Sequence, residues 1–201
     1  MRIPELLVPA SSLEVLQVAV IFGADAVYIG GEAFGLRAKA KNFSKEDMSE
    51  GVRFAHEHGV KVYVTANILA HNQDLEGVRK YFEELREIGP DALIISDPGV
   101  YQIAKEVCPE IERHISTQAN NTNYGTYQFW YQMGAKRVVT ARELSLEDPR
   151  CCSRKHMQIP GLCLSCGSSA LCELRTTCSG LPAIAWQFSI LRPCILNGGC
   201  S

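Results

Sequence analysis

Short apolar runs alternate with helix-periodic stretches from residue 4 to about residue 148, and this rhythm restricts the fold more than any other feature. ELLVPA at 5–10, DAVYIGG at 25–31, VKVYVTAN at 60–67, ALIISD at 92–97, ERHISTQ at 112–118 and RVVT at 137–140 read as six strands. Leu13, Leu16 and Val20 recur at helical spacing behind Ser11 or Ser12 as N-cap, with Gly23 as a stop. Further helices are predicted over 44–58, 73–88, 98–107 and 123–133, closed by Gly59 and by Gly89–Pro90 where those follow. ARELSLED then begins another. Strand–helix units of about 25 residues imply a parallel sheet with right-handed crossovers. A doubly wound sheet and a (βα) TIM-barrel-like ring share that rhythm. The ring is favoured because the strand ends carry polar residues, and barrel sites are built at those ends. No GxGxxG follows the first strand, which weakens a dinucleotide-binding reading.

The net charge is -2, so the whole chain holds no strong electrostatic attraction for nucleic acid. Residues 151–201 nevertheless set Arg154, Lys155, Arg175 and Arg192 against the single acid Glu173, leaving the acidic balance in the first part. Met1 is followed by a strand-like run rather than a basic start and a long apolar stretch. No apolar run approaches membrane-spanning length, so a cytoplasmic protein without a membrane segment is expected.

The candidate binding residues sit at or after predicted strand ends. Arg37, in FGLRAKAKNFS, can clamp a carboxylate or phosphate with two parallel hydrogen bonds; a plain loop arginine is the simpler reading. Tyr28 lies within the second strand as a site residue or as barrel-lining packing. Asn67 and Gln118 end the third and fifth strands, where an amide can orient a substrate. Asp97 is a general base or, more simply, the cap of the next helix. His71 follows the third strand. Arg142 follows the sixth beside Glu143, as a site pair or an ion pair. His56 and His58 diverge by about 200° on a helix and form no chelating pair. His114 alternates along the fifth strand with Ser116 and Gln118. Asn120, Asn121 and Asn123 read as caps of the helix that follows. No nucleophile is paired with a base, and no HExxH occurs.

These stretches together, ELLVPASSLEVLQVAVIFGADAVYIGGEAFGLRAKAKNFS, KVYVTANILAHNQDL, GPDALIISDPGV, HISTQANNTN and RVVTARELSLED, resemble the collagenase-like peptidase family U32. The resemblance runs from about residue 4 to residue 148 and implies a (βα)-barrel core. The family name implies proteolysis. Several members are instead similar to oxygen-independent hydroxylases that act on RNA or tRNA bases or on quinone precursors. For those the resemblance implies a 4Fe-4S cluster, prephenate as co-substrate, and RNA, tRNA or a small acidic molecule as partner. It also implies four cysteines after the sixth strand, near an H-G pair and an N-R-G motif.

Eight of the nine cysteines do fall in the last 51 residues, but not in that pattern. No H-G pair follows residue 148. Cys163 and Cys166 are two residues apart in between, Cys194 and Cys200 five, and no N-R-G is present. Three readings of the tail stay open. A zinc module would use Cys163, Cys166, Cys172 and Cys178, stapling a non-enzymatic binding domain. A divergent iron–sulfur site would draw four thiolates from the eight. Out-of-frame translation explains the loss of periodicity and of acidic residues after Asp148, and a one-base shift can recover S-Y-S-G- and N-R-G-like neighbourhoods. The expectation adopted is a partial barrel over 1–148, truncated after about six units, and an irregular cysteine-rich tail over 149–201. Such a copy of a hydroxylase-type protein is inactive; a collagenase-like peptidase is the alternative.

Overall fold

The computed structural model describes residues 5–31, 33–35, 43–141 and 144, and the backbone of 163–166 and 185–187. Its described core is α/β: strands β1 (Leu6–Pro9), β2 (Ala26–Gly30), β3 (Lys61–Ala66), β4 (Ala92–Ile95), β5 (Glu112–Ile115) and β6 (Arg137–Thr140). Helices α1 (Leu13–Ile21), α2 (Lys45–Glu57), α3 (Leu75–Ile88), α4 (Pro98–Val107) and α5 (Tyr124–Met133) alternate with them. Every neighbouring pair of strands is parallel, and the sheet curls in chain order. Two short strands from the cysteine-rich segment, β7 (Cys163–Cys166) and β8 (Ala185–Gln187), continue that order and bring it back to β1. The rest of the expected irregular tail lies outside the described residues.

Local chemistry sets the helix ends. Ser12, Ser44 and Asn123 each accept a backbone N–H of the first turn, from Val15, Asp47 and Thr126. Gly89 and Gly134 terminate α3 and α5 at φ 74° and 97°, in the left-handed region where a Cβ would be strained.

Two apolar layers result from the strand alternation. One face of the sheet packs Val27, Ile29, Val62, Val64, Leu93, Ile95, Ile115 and Val138 against the helices. The other face lines the barrel interior, where Leu7, Ala26, Tyr63 and Ala92 meet Tyr28 and Ile94. The strand ends therefore offer two distinct interiors, one at each mouth.

The fifth strand is shorter than its sequence suggests. Ser116 takes the backbone N–H of Gln118 on its hydroxyl, and Thr117–Ala119 turns into a short 3-10 helix. Asn120 follows in the left-handed region at φ 57°. Local side-chain bonding thus outcompetes the strand ladder.

Among the described residues, the Tyr81 hydroxyl is a buried polar group without a partner. The Tyr81 hydroxyl on α3 points at the Cα of Gly31, leaving no room for a side chain there, and makes no hydrogen bond. A buried hydroxyl without a partner is a net cost. Tyr81→Phe is expected to raise the unfolding free energy by about 1 kcal/mol. A urea midpoint that falls in this variant would contradict the assignment. Phe34 packs on the same helix: its ring lies over Gly77, where a Cβ would sit 2.9 Å from Cζ, and 5.5 Å from the Tyr81 ring. Phe34 holds a left-handed φ of 61°, and its carbonyl accepts the N–H of Ile68. The segment after β2 is thereby tied to both α3 and the segment after β3.

Candidate functional site

The C-terminal mouth of the barrel gathers uncharged hydrogen-bonding groups from successive strands. Tyr28 lies on β2 against the interior cluster, so its ring lines the barrel, the simpler of the two roles its sequence position allows. The Thr65 hydroxyl donates to the Ile29 carbonyl at 3.2 Å, tying β3 to β2. Asn67 Nδ2 donates to the Ser116 hydroxyl at 3.4 Å, a bond that spans from the end of β3 to the end of β5. Between them the Ser96 hydroxyl donates to the Ile68 carbonyl at 3.3 Å. Ser96 and Ser116 are buried, Asn67 is half-buried and Gln118 is exposed. The structure places Asn67 and Gln118 just after β3 and β5, with Thr65, Ser96 and Ser116 as neighbours that strand periodicity could have named, whereas Tyr28 packs mid-strand against the interior cluster that holds Tyr63.

Other sequence candidates fall elsewhere. Asp97 is the N-cap of α4, accepting the Val100 N–H at 2.9 Å. This is the simpler of the two roles its sequence position allows. Asp97→Ala is expected to cost about 1 kcal/mol of stability, read by thermal or urea unfolding. His71 is exposed, and its backbone N–H donates to Asp74 at 2.8 Å, the role of a plain loop residue. Asn123 is a cap, as expected. Asn121 is not: it is fully buried and brackets three elements, donating to the carbonyls of Ser116 at 3.0 Å and Val139 at 3.2 Å and accepting the Trp130 indole N–H at 3.1 Å. His56 bonds Asp91 at 2.9 Å and His58 bonds the Phe54 carbonyl at 2.8 Å, so both serve the α2 end. Arg37, Arg142, Cys172 and Cys178 lie outside the described residues, and Cys163 and Cys166 are described only as backbone of β7.

The opposite, N-terminal end of the interior holds a charged cluster that sequence reasoning missed. Arg137 of β6 makes two bonds to the Glu5 carboxylate, at 2.6 and 3.1 Å, across 132 residues of chain. Tyr63 Oη donates to the same carboxylate at 3.0 Å, and the guanidinium lies 5.2 Å from the Tyr63 ring centroid. His114, buried on β5, meets the Tyr63 ring edge-on at 4.8 Å and bonds Glu112 at 3.3 Å. Burial alone would raise the Glu5 carboxyl, but the hydrogen bond and charge of Arg137, with Tyr63 and Lys61, hold it below its ordinary value of 4.5. Burial lowers His114 below 6.5 despite the nearby Glu112. The only sequence signal for this floor was the set of charged residues at inward positions of short strands. In barrels this end reads as stability rather than chemistry.

An iron–sulfur cluster needs thiolates. Among the described residues no group of three or more His, Cys, Asp or Glu is arranged to hold a metal ion. The one described cysteine side chain, Cys108, is buried at the end of α4 and donates to the Ala104 carbonyl. Burial, with the charge of Glu110, pushes its thiol up to about 11, which keeps it protonated and unsuited to ligation. The side chains of the eight cysteines after β6 lie outside the described residues.

Comparisons with known proteins agree with this architecture. The model of "Peptidase family U32" matches residues 11–160. A "tRNA hydroxylation protein P1" of Bacillus subtilis is 46% identical over 142 residues, covering 71% of this chain and 34% of that protein. A 23S rRNA 5-hydroxycytidine synthase of Escherichia coli is 40% identical over 146 residues, covering 73% of this chain and 22% of that protein. The solved structure of a U32 peptidase superposes with a TM-score of 0.65 at 13% identity, covering 84% of this chain and 70% of that one, which shows the fold. The chain spans about a third or less of the length of these curated relatives. Among the described residues, no helix is long and apolar enough to cross a membrane.

Proposed function

The chain belongs to peptidase family U32, and from that premise we propose that it carries the barrel part of an RNA-modifying hydroxylase, without a usable cluster site and hence inactive by itself. The observation that carries the reading is the 46% identity, over 142 residues, to a protein named for tRNA hydroxylation. The mouth chemistry supports it. Asn67 supplies both donors and an acceptor, and Tyr28, Thr65, Ser96 and Ser116 supply hydroxyls. A wall of neutral, directional groups suits a flat uncharged base better than it suits proton transfer. In this reading Asn67 and Gln118 orient the base edge and Tyr28 forms the wall below it. Arg37, and Arg142 after β6, supply the cations that an acidic co-substrate such as prephenate requires.

A 4Fe-4S cluster, where bound in such a protein, supplies the electron chemistry. In this chain the cysteines after β6 depart from the expected spacing, and the described residues offer no alternative ligands. A peptidase needs a nucleophile with a base within reach. The Ser96 and Ser116 hydroxyls bond Ile68, Asn67 and the Gln118 backbone rather than a histidine, which favours the hydroxylase reading over the peptidase one.

The test is a chimera in cells lacking their own RNA-hydroxylating relatives. Residues 1–141 of this chain are joined to the remainder of the Bacillus subtilis relative, and hydroxylated nucleosides are measured by mass spectrometry. The chimera is expected to restore a hydroxylated nucleoside and the unaltered chain is not. A folded, soluble chimera that modifies no RNA sinks the reading, and so does activity of the unaltered chain.

A further inference from the structure

The loop after β3 presents a leucine to solvent on a backbone that its neighbours hold in place. Leu69 is 73% exposed. Among the described residues it is the one large apolar side chain exposed outside α1, its C-cap and α5. It stands two residues beyond Asn67, on the loop that joins the C-terminal end of β3 to α3.

An exposed leucine is ordinary on a protein surface, so the case rests on how this one is held. Ile68 donates its N–H to the Phe34 carbonyl at 3.3 Å, and its own carbonyl accepts the Ser96 hydroxyl at 3.3 Å. The Asn67 side chain reaches Ser116. On the other side, Ala70 packs against the core. His71 then closes a turn with Asp74: its N–H donates to the Asp74 carboxylate, and its carbonyl accepts the Asp74 N–H, both at 2.8 Å. The hold at Phe34 is strained, because φ 61° is a region that bulky side chains rarely enter. Strain of this kind persists where the surroundings enforce it, and it clusters at ligand sites. Here Gly77 enforces it, since only a residue without a Cβ leaves room for the Phe34 ring. A loop fixed on both flanks offers Leu69 to a ligand with little left to order on binding.

The composition of the loop selects the ligand. From Ala66 to Val78 there is no lysine or arginine, so a phosphate finds no cation there. The loop instead carries the amides of Asn67, Asn72 and Gln73, the last two exposed. An apolar side chain among neutral donors and acceptors suits a nucleobase, with the leucine against the ring face. A base taken out of its stack for chemistry uncovers the face of its neighbour, and an apolar side chain laid on that face recovers part of the lost stacking.

We propose that Leu69 covers the face of the RNA base next to the one that Asn67 orients. This deepens the functional reading above and rests on it.

The test uses the full chain with tRNA and, separately, ribosomal RNA from cells lacking RNA-hydroxylating relatives. A photoreactive diazirine side chain is placed at position 69 or, as a control, at Val18 on α1, and adducts are mapped by mass spectrometry. Adducts from position 69 are expected on base atoms at one nucleotide position, with none from the control. Adducts spread along the RNA, adducts on ribose alone, or a yield no higher than the control overturn the proposal. Filter binding supplies a second measurement. Leu69→Ser is expected to raise Kd about fivefold, whereas Leu69→Met and Val18→Ser stay within about twofold of the parent. Leu69 is exposed, so none of this depends on a loss of folding. Equal affinity of the parent and Leu69→Ser overturns the proposal and leaves the functional reading standing; a parent chain that binds neither RNA overturns both.

Discussion

Arg137→Met is expected to lower the unfolding free energy by about 3 kcal/mol, because it strands the Glu5 carboxylate inside the barrel. The pair is 11% and 21% exposed, which places the loss at the low end of the range for buried ion pairs. Glu5→Leu combined with Arg137→Met removes both charges and is expected to return to within about 1 kcal/mol of the parent chain. Urea unfolding of the two single variants and the double variant measures this directly. A single Arg137 variant that loses less than about 1 kcal/mol would show the pair to be solvated rather than structural. The same floor sets a pH dependence. The Glu5 pKa lies below 4.5, so its contribution is complete above that value and is lost as the pH falls through the folded value. His114, held below 6.5 by burial, acts in the same direction, and its loss begins as the pH falls under 6.5. Stability is therefore expected to fall monotonically on acidification from about pH 6.5, and less steeply in the double variant.

Asn121→Leu carries the second large expected effect. The amide satisfies the Ser116 and Val139 carbonyls and the Trp130 indole N–H, all within the buried join of β5, β6 and α5. Losing it strips the Trp130 indole N–H of its partner and removes a bond to each carbonyl, although Ser116 keeps the Ala119 N–H; a buried group left unpaired costs about 1–3 kcal/mol. A loss of about 2–3 kcal/mol is expected, with Trp130 fluorescence shifted because its N–H loses its partner. Ser116 also accepts the Asn67 bond at the mouth, so the variant is expected to loosen the candidate site as well. An unfolding free energy within about 1 kcal/mol of the parent would contradict this bracket.

What was legible in the sequence was local. Ser12, Ser44 and Asn123 announced their helices because a cap needs only a short polar side chain beside the first turn. Asn67 could be placed because strand ends in a parallel barrel converge on one mouth. Asp97 reads as base or cap in the sequence, and its bond to Val100 shows the cap. Gln118 was read as the end of a strand, but the strand stops at Ile115 and Ser116 caps a 3-10 turn that contains Gln118. The Glu5–Arg137 pair left no pattern to read, since its partners stand 132 residues apart and only the curl of the sheet brings them together. Asn121 was hidden differently: buried asparagines and capping asparagines share the same sequence neighbourhood, and only burial separates them.

The central claim is that this chain keeps the barrel of an RNA-hydroxylating protein but not its cluster site. Iron, sulfide and zinc content of the purified chain, after anaerobic reconstitution, tests it most directly. The expected result is no stoichiometric metal and no broad absorbance near roughly 400 nm. About four irons and four sulfides per chain, with that absorbance, would contradict it.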